Sequence, residues 1–144
     1  MIISFDLDDT LIAKNKFGLE KRNLFQKLFG LECVREGTID LFKELRAQKH
    51  KIYIYTTSYR TTFRIWLMFY SYGVSVNCII NQQKHLKKIK KLDFNCSKFP
   101  PMFKIDIHID DSQGVKMEGE KYGFKTIIIS ETDKNWTQTI LRSI

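Results

Sequence analysis

The chain has 144 residues, of which 43% are apolar and 28% are charged, and its formal net charge is +8. This composition excludes a disordered chain, and the length suffices to bury a core without disulfides or a structural metal. Three scattered cysteines without a CxxC pair exclude a disulfide framework and a zinc site. With no signal peptide or spanning segment in sight, we expect one cytoplasmic domain over residues 1–144, with no membrane contact and with anionic partners favoured.

The first predicted element is an apolar strand that begins at Ile2 and runs into Asp6-Leu7-Asp8-Asp9-Thr10. Alternate side chains of an extended segment point to the same side, which places Asp6 beside Asp8 and turns Asp9 away. Two carboxylates this close repel each other unless a cation lies between them or one keeps its proton. The strand end therefore predicts a functional carboxylate pair, with Thr10 capping the turn.

Helical and extended patterns then alternate. Apolar residues at helical spacing predict a helix ending at Gly30, and Thr38 is expected to cap the N-terminus of a second helix. Residues 52–55 predict a second strand, which ends in hydroxyl side chains at Thr56 and Thr57. A helix over about 61–72 should follow, and a third strand over 74–80. The aromatic residues expected in the core of this region are Trp66, Tyr70 and Tyr72.

The segment 82–92 is the most basic part of the chain, and its lysines alternate with apolar residues. The pattern predicts an amphipathic surface helix in which His85 is solvated; a nucleic-acid phosphate contact through 84–91 is the second interpretation. Residues 93–102 should form a loop, because Pro100 and Pro101 disfavour a helix.

The fourth strand, over 105–109, ends in Asp110 and Asp111, and its His108 is expected to be buried and to orient one of these acids. A helix over 112–122, a strand over 126–129 and a helix over about 134–141 complete the prediction.

Alternating strands and helices favour an α/β fold, a three-layer α/β/α sandwich with a Rossmann-like, mostly parallel sheet. In such sheets ligands bind at the carboxyl ends of the strands, where the acids, the hydroxyls and Lys98 should converge. Carboxylate oxygens suit Mg²⁺, while hydroxyls and a lysine suit phosphate oxygens. No group other than an aspartate is well placed as a nucleophile, and a carboxylate can form an aspartyl-phosphate.

The segment from Phe5 to Leu11 resembles the DxDxT signature of haloacid-dehalogenase-like (HAD) phosphatases. The strand ending in Thr56 is similar to their second motif, Lys98 before Phe99-Pro100 to their third, and the strand ending in Asp110-Asp111 to their fourth. All four occur in the family's order. The resemblance implies that Asp6 is the nucleophile and that Asp8 is the general acid and then the base. It also implies that Thr56 and Lys98 bind the phosphoryl group, although Thr57 could replace Thr56 and Lys84 could replace Lys98.

By the same resemblance, Mg²⁺ would be held by the Asp6 carboxylate, the Asp8 backbone carbonyl and Asp110, with Asp111 in direct contact or one shell further out. The segments 12–51 and 58–97 hold no separate cap domain, which is similar to the capless members. This implies a phosphorylated substrate that is macromolecular or nucleotide-like, or an oligomer that covers the site. Arg60 is a candidate contact for the substrate phosphate.

Two other functions stay open at this point. A catalytically inactive protein of the same fold could bind phosphate or nucleic acid through its lysines. A receiver-like phosphoacceptor domain is disfavoured because its motifs follow a different order, with a lone aspartate at the strand end where this chain has Tyr55-Thr56.

Overall fold

The computed structural model describes residues 1–90 and 95–144. Its strands and helices follow one another in this order: β1 (Ile2–Phe5), α1 (Leu24–Leu28), α2 (Thr38–Ala47), β2 (Lys51–Tyr55), α3 (Thr62–Ser71), β3 (Cys78–Ile80), α4 (Gln82–Ile89), a 3₁₀ helix (Pro100–Phe103), β4 (Ile107–Asp110), α5 (Gln113–Tyr122), β5 (Lys125–Ile128) and α6 (Trp136–Ser143). The predicted end of α4 at Lys91 and Leu92 lies outside the described residues.

The strands form one parallel sheet in the order β3-β2-β1-β4-β5. Phe5 of β1 pairs with Ile54 of β2 and with Ile109 of β4, so the three central strands end at the same level. The chain crosses to the other side of β1 after β3, and this reversal places a crevice at the carboxyl end of β1. The α/β fold with a parallel Rossmann-like sheet is therefore confirmed, and no cap is evident among the described residues.

Helices cover both faces of the sheet. The larger core cluster joins β1, β2 and β4 to buried residues of α2, α3 and α6, such as Phe42, Phe69 and Ile140. A smaller cluster around Tyr55, Ile80 and Ile105 lies outside it. Among the described residues, each helix is too short or too polar to cross a lipid bilayer.

Several local predictions were wrong. Gly37, in the left-handed region at φ 88°, takes the N-cap position of α2, while the Thr38 hydroxyl donates to the Arg35 carbonyl at 2.6 Å. The 3₁₀ helix begins with Pro100 and Pro101, because the first residues of a helix need no N–H partner. Only the last three residues of the predicted third strand pair with β2, since the preceding ones form the connection from α3.

The exposed aromatic residues of α3 are the largest departure from the predicted core. Trp66 and Tyr70 lie on the solvent side of the helix, while Ile65, Met68 and Phe69 face the sheet. Tyr72 is partly buried against the main core, as predicted. Helix α3 is apolar on both sides, so its periodicity could not identify the buried face.

Candidate active site

The rim of the site consists of the residues that follow β1, β2 and β4. The hydrogen-bond ladder extends one step beyond the strands, since the Asp6 N–H donates to the Ile109 carbonyl at 2.8 Å and the Thr56 N–H donates to the Ile80 carbonyl at 2.9 Å. The backbones at Asp6 and Thr56 are therefore fixed by the sheet, and a site built on them is held rigidly.

A buried lysine joins two of the predicted acids. The Lys98 ammonium donates to Asp6 Oδ1 at 2.5 Å and to Asp110 Oδ2 at 2.6 Å, and all three side chains are almost entirely buried. Removing charges from water is costly unless they are paired. One ammonium facing two carboxylates leaves an excess of negative charge, which either a proton or a further cation can balance.

The environment assigns that proton to Asp6. Burial raises the pKa of Asp6 to about 7, and the nearby charge of Asp110 adds to the rise against the opposing effect of Lys98. Burial also disfavours ionised Asp110, but the hydrogen bond from His108 and the charge of Lys98 hold its pKa well below the usual range. Burial lowers the pKa of Lys98, but the two carboxylates outweigh it and raise this pKa above the ordinary value.

Asp111 and Thr10 complete a set of oxygen atoms. One carboxylate oxygen from each of Asp6, Asp110 and Asp111 lies within 4.8 Å of the other two. The Thr10 hydroxyl is 3.0 Å from Asp111 Oδ1 and 3.4 Å from Asp6 Oδ2. It connects two acids instead of only closing a turn, the role predicted for it. An all-oxygen donor set of carboxylates fits Mg²⁺, which prefers one or two carboxylates and retains waters.

The Asp8 side chain lies outside this group of three carboxylates, because Arg60 holds it. Arg60 Nη1 is 2.9 Å from Asp8 Oδ1 and 3.0 Å from Oδ2. Glu32 in turn holds Arg60 with two parallel bonds of 2.7 and 3.1 Å. Asp8, Glu32 and Arg60 line a cleft of about 490 Å³. Asp8 thus lies where a leaving group could enter, while Asp9 turns away and pairs with Lys16.

The remaining predicted residues divide clearly. Thr56 is buried at the rim, and its hydroxyl accepts the Ser58 N–H at 3.0 Å, which leaves its own proton free to donate; Thr57 is exposed. Lys98 meets the carboxylates, whereas Lys84 donates to the Ile79 carbonyl at 2.7 Å. The structure therefore brings Thr56 and Lys98 together with the acids.

Behind Asp110, the neutral His108 connects two strands. Its Nδ1 lies 2.7 Å from the Ser4 hydroxyl and its Nε2 lies 2.9 Å from Asp110 Oδ2. Burial lowers the pKa of His108 to about 4, so the ring carries a single N–H. An ionised carboxylate can only accept, so Nε2 donates to Asp110 and the Ser4 hydroxyl donates to Nδ1. This is the orienting contact predicted for His108.

Sequence reasoning missed a second buried network, which positions the segment that carries Lys98. The Tyr55 hydroxyl accepts the Phe99 N–H at 2.9 Å and lies 2.6 Å from His85 Nδ1. His85 was expected in solvent, but it is buried and burial lowers its pKa. The available signal was Tyr55 itself, a polar aromatic residue in an otherwise apolar strand whose hydroxyl needs a partner when buried.

No protein-family model matches this chain, and no curated protein matches it. A solved structure described as a predicted HAD-like family hydrolase from Porphyromonas gingivalis is similar, with a TM-score of 0.54 and 14% sequence identity. The match covers 99% of this chain and 96% of that one. At this identity the similarity concerns the fold. Together with the strand order and the site at the end of β1, it shows that the chain has the HAD-like α/β fold.

Proposed function

We propose that this protein is a Mg²⁺-dependent phosphatase that hydrolyses phosphomonoesters through an aspartyl-phosphate on Asp6. The observation that carries the proposal is the buried contact of Lys98 with Asp6 and Asp110 at the carboxyl end of β1. Three further features support it: the neighbouring Asp111, the Thr56 hydroxyl at the same rim, and a HAD-like fold.

In the proposed reaction an Asp6 carboxylate oxygen attacks phosphorus, and the bond from phosphorus to the leaving oxygen breaks. Asp8 donates a proton to that oxygen, then takes one from the water that attacks phospho-Asp6, which releases inorganic phosphate and restores the carboxylate. The Thr56 hydroxyl and Lys98 hold the phosphoryl oxygens. Arg60 keeps the Asp8 carboxylate beside the cleft and is a second candidate contact for the substrate phosphate.

The carboxylates of Asp6, Asp110 and Asp111 and the backbone carbonyl of Asp8 would hold Mg²⁺. When bound, the ion supplies positive charge that offsets the charge of the transferring phosphoryl group. It also favours the ionised form of Asp6, which is the form that can attack.

The proposed substrates are phosphorylated macromolecules or nucleotide-like phosphates, since no cap is evident over the site. We place the reaction in the cytoplasm, in a monomer or an oligomer. The competing function is a binding protein of the same fold that performs no chemistry. The direct contacts among Asp6, Lys98 and Asp110 favour the phosphatase, because a buried excess of negative charge would disfavour phosphate binding without a cation.

Hydrolysis of an aryl phosphate tests this proposal. We expect release of inorganic phosphate that requires Mg²⁺, stops with EDTA and is abolished in Asp6→Asn, with Thr57→Ala as the matched control that retains activity. Hydrolysis that persists in Asp6→Asn would exclude Asp6 as the nucleophile. A wild-type protein that hydrolyses none of a panel of aryl, sugar, nucleotide, peptide and oligonucleotide phosphates would favour the binding protein.

A further inference from the structure

The positive charge of the chain is concentrated in one part of the fold. Between Leu45 and Leu92 there are ten lysines and arginines and no aspartate or glutamate, so this third of the chain accounts for the whole net charge of +8. Its described residues include β2, α3, β3 and α4, which form the β3 edge of the sheet. A surface with this charge attracts polyanions and repels a second copy of itself.

A row of exposed aromatic side chains crosses this acid-free region. Tyr59, Phe63, Trp66 and Tyr70 are 65%, 66%, 39% and 61% exposed. The last three lie on one side of α3, with ring centroids 5.8 Å apart between Phe63 and Trp66 and 4.8 Å apart between Trp66 and Tyr70. We call these four residues the aromatic row. Solvent-exposed rings at regular spacing are not needed for the fold.

The aromatic row begins at the candidate active site. Tyr59 precedes Arg60, whose guanidinium contacts Asp8, and Phe63 lies in the first turn of α3. Next to it, the Arg64 side chain donates to the Gly30 carbonyl, an uncharged partner. The row therefore leads away from Asp8 along α3 for about 10 Å, at 1.5 Å per helical residue.

We propose that the aromatic row binds single-stranded nucleic acid and presents its phosphorylated end to Asp6. Every base has a flat face that can stack on an aromatic ring, and a basic surroundings binds the backbone, a combination that tolerates any sequence. The presentation to Asp6 rests on the proposed phosphatase function, whereas the binding does not. The row thereby names the substrate class, a terminal phosphate on a single strand, and moves the predicted nucleic-acid contact from 84–91 to α3.

Helix α1 packs beside α3 and exposes further apolar side chains (Leu24, Phe25, Leu28 and Phe29). A second copy of the chain seated on both helices is therefore the main competing occupant. It is disfavoured because two acid-free surfaces would have to meet face to face, whereas a nucleic acid supplies the opposite charge.

Fluorescence anisotropy in EDTA tests the binding without catalysis. The probe is a dye-labelled oligothymidylate of about twelve nucleotides with a terminal phosphate at the unlabelled end, and a duplex of equal length is the comparison. We expect the single strand to bind more tightly than the duplex. Trp66→Leu and Tyr70→Leu, which keep an apolar side chain but remove the ring, should each weaken binding about tenfold. The matched control is Met117→Leu, an equally exposed apolar position on α5.

Equal affinity for single strand and duplex, or equal effects at Trp66, Tyr70 and Met117, would overturn the proposal. It would also be overturned by a wild-type dimer that Trp66→Leu dissociates, or by binding to anionic lipid vesicles in place of the oligonucleotide. Aryl phosphate hydrolysis by the wild type is measured in parallel and tests the phosphatase alone. Oligonucleotide binding without any hydrolysis would support the aromatic row and reject the phosphatase.

Discussion

Replacing Asp6 by asparagine should stabilise the metal-free protein in a pH-dependent manner. The pKa of Asp6 is about 7 in the folded protein and 3.8 ordinarily, because burial and Asp110 disfavour its charged form. The folded state therefore holds the proton longer than the unfolded state, and the contribution of Asp6 to stability is lost as the pH rises from 3.8 through about 7. Asparagine does not titrate, so the variant escapes this loss.

The size of the effect follows from 1.36 kcal/mol for each unit of pKa. A rise of roughly three units costs the wild type about 4 kcal/mol above pH 7, of which about 3 kcal/mol falls between about pH 5 and pH 8. Urea unfolding in EDTA at these two pH values measures the free energies of unfolding. We expect the stability of Asp6→Asn relative to the wild type to increase by this amount toward alkaline pH.

Saturating Mg²⁺ provides the control, because it should stabilise the wild type, favour ionised Asp6 and remove most of the difference. A stability difference that does not change with pH would mean that Lys98 keeps Asp6 ionised throughout. A variant that gains stability toward acid pH would reverse the assigned direction of the pKa shift. Either result would refute the assignment of the proton to Asp6.

Three further predictions concern residues around the acids. His108→Asn should raise the Mg²⁺ concentration needed for half-maximal hydrolysis about tenfold with little change in the maximal rate, because the amide cannot reach both Ser4 and Asp110; an unchanged Mg²⁺ requirement would contradict the orienting role. Lys98→Met should abolish hydrolysis and cost about 3 kcal/mol of stability in EDTA, measured by urea unfolding, because it leaves two buried carboxylates unpaired; unaltered stability would contradict the buried ion pairs. Glu32→Gln should lower kcat/KM for an aryl phosphate about tenfold without altering Mg²⁺ affinity, because Arg60 loses its charged anchor; wild-type kinetics would show that the anchor is dispensable.

The sequence predicted the fold and the site rim because both depend on local patterns. Apolar strands ending in polar residues identified β1, β2 and β4, and a parallel sheet aligns such strand ends by construction. Order along the chain then placed Asp6, Thr56, Lys98 and Asp110 at one edge, which is where the structure has them.

What the sequence did not predict depends on long-range contacts. His85 lies on a lysine-rich helix, and only the packing of α4 against β2 shows that it meets Tyr55. The interaction of Arg60 with both Asp8 and Glu32 joins three loops distant in sequence. The exposed face of α3 was similarly hidden, because a helix that is apolar on both sides gives no periodicity to read.

The central claim is that Asp6 becomes phosphorylated during turnover. An aryl phosphate reaction with Mg²⁺ can be quenched in acid and the protein treated with borohydride, which reduces an aspartyl-phosphate to homoserine, before peptide mass spectrometry. We predict homoserine at position 6, with more of it in Asp8→Asn, which cannot activate water on the intermediate. Modification at another aspartate, or none while phosphate is being released, would contradict the claim.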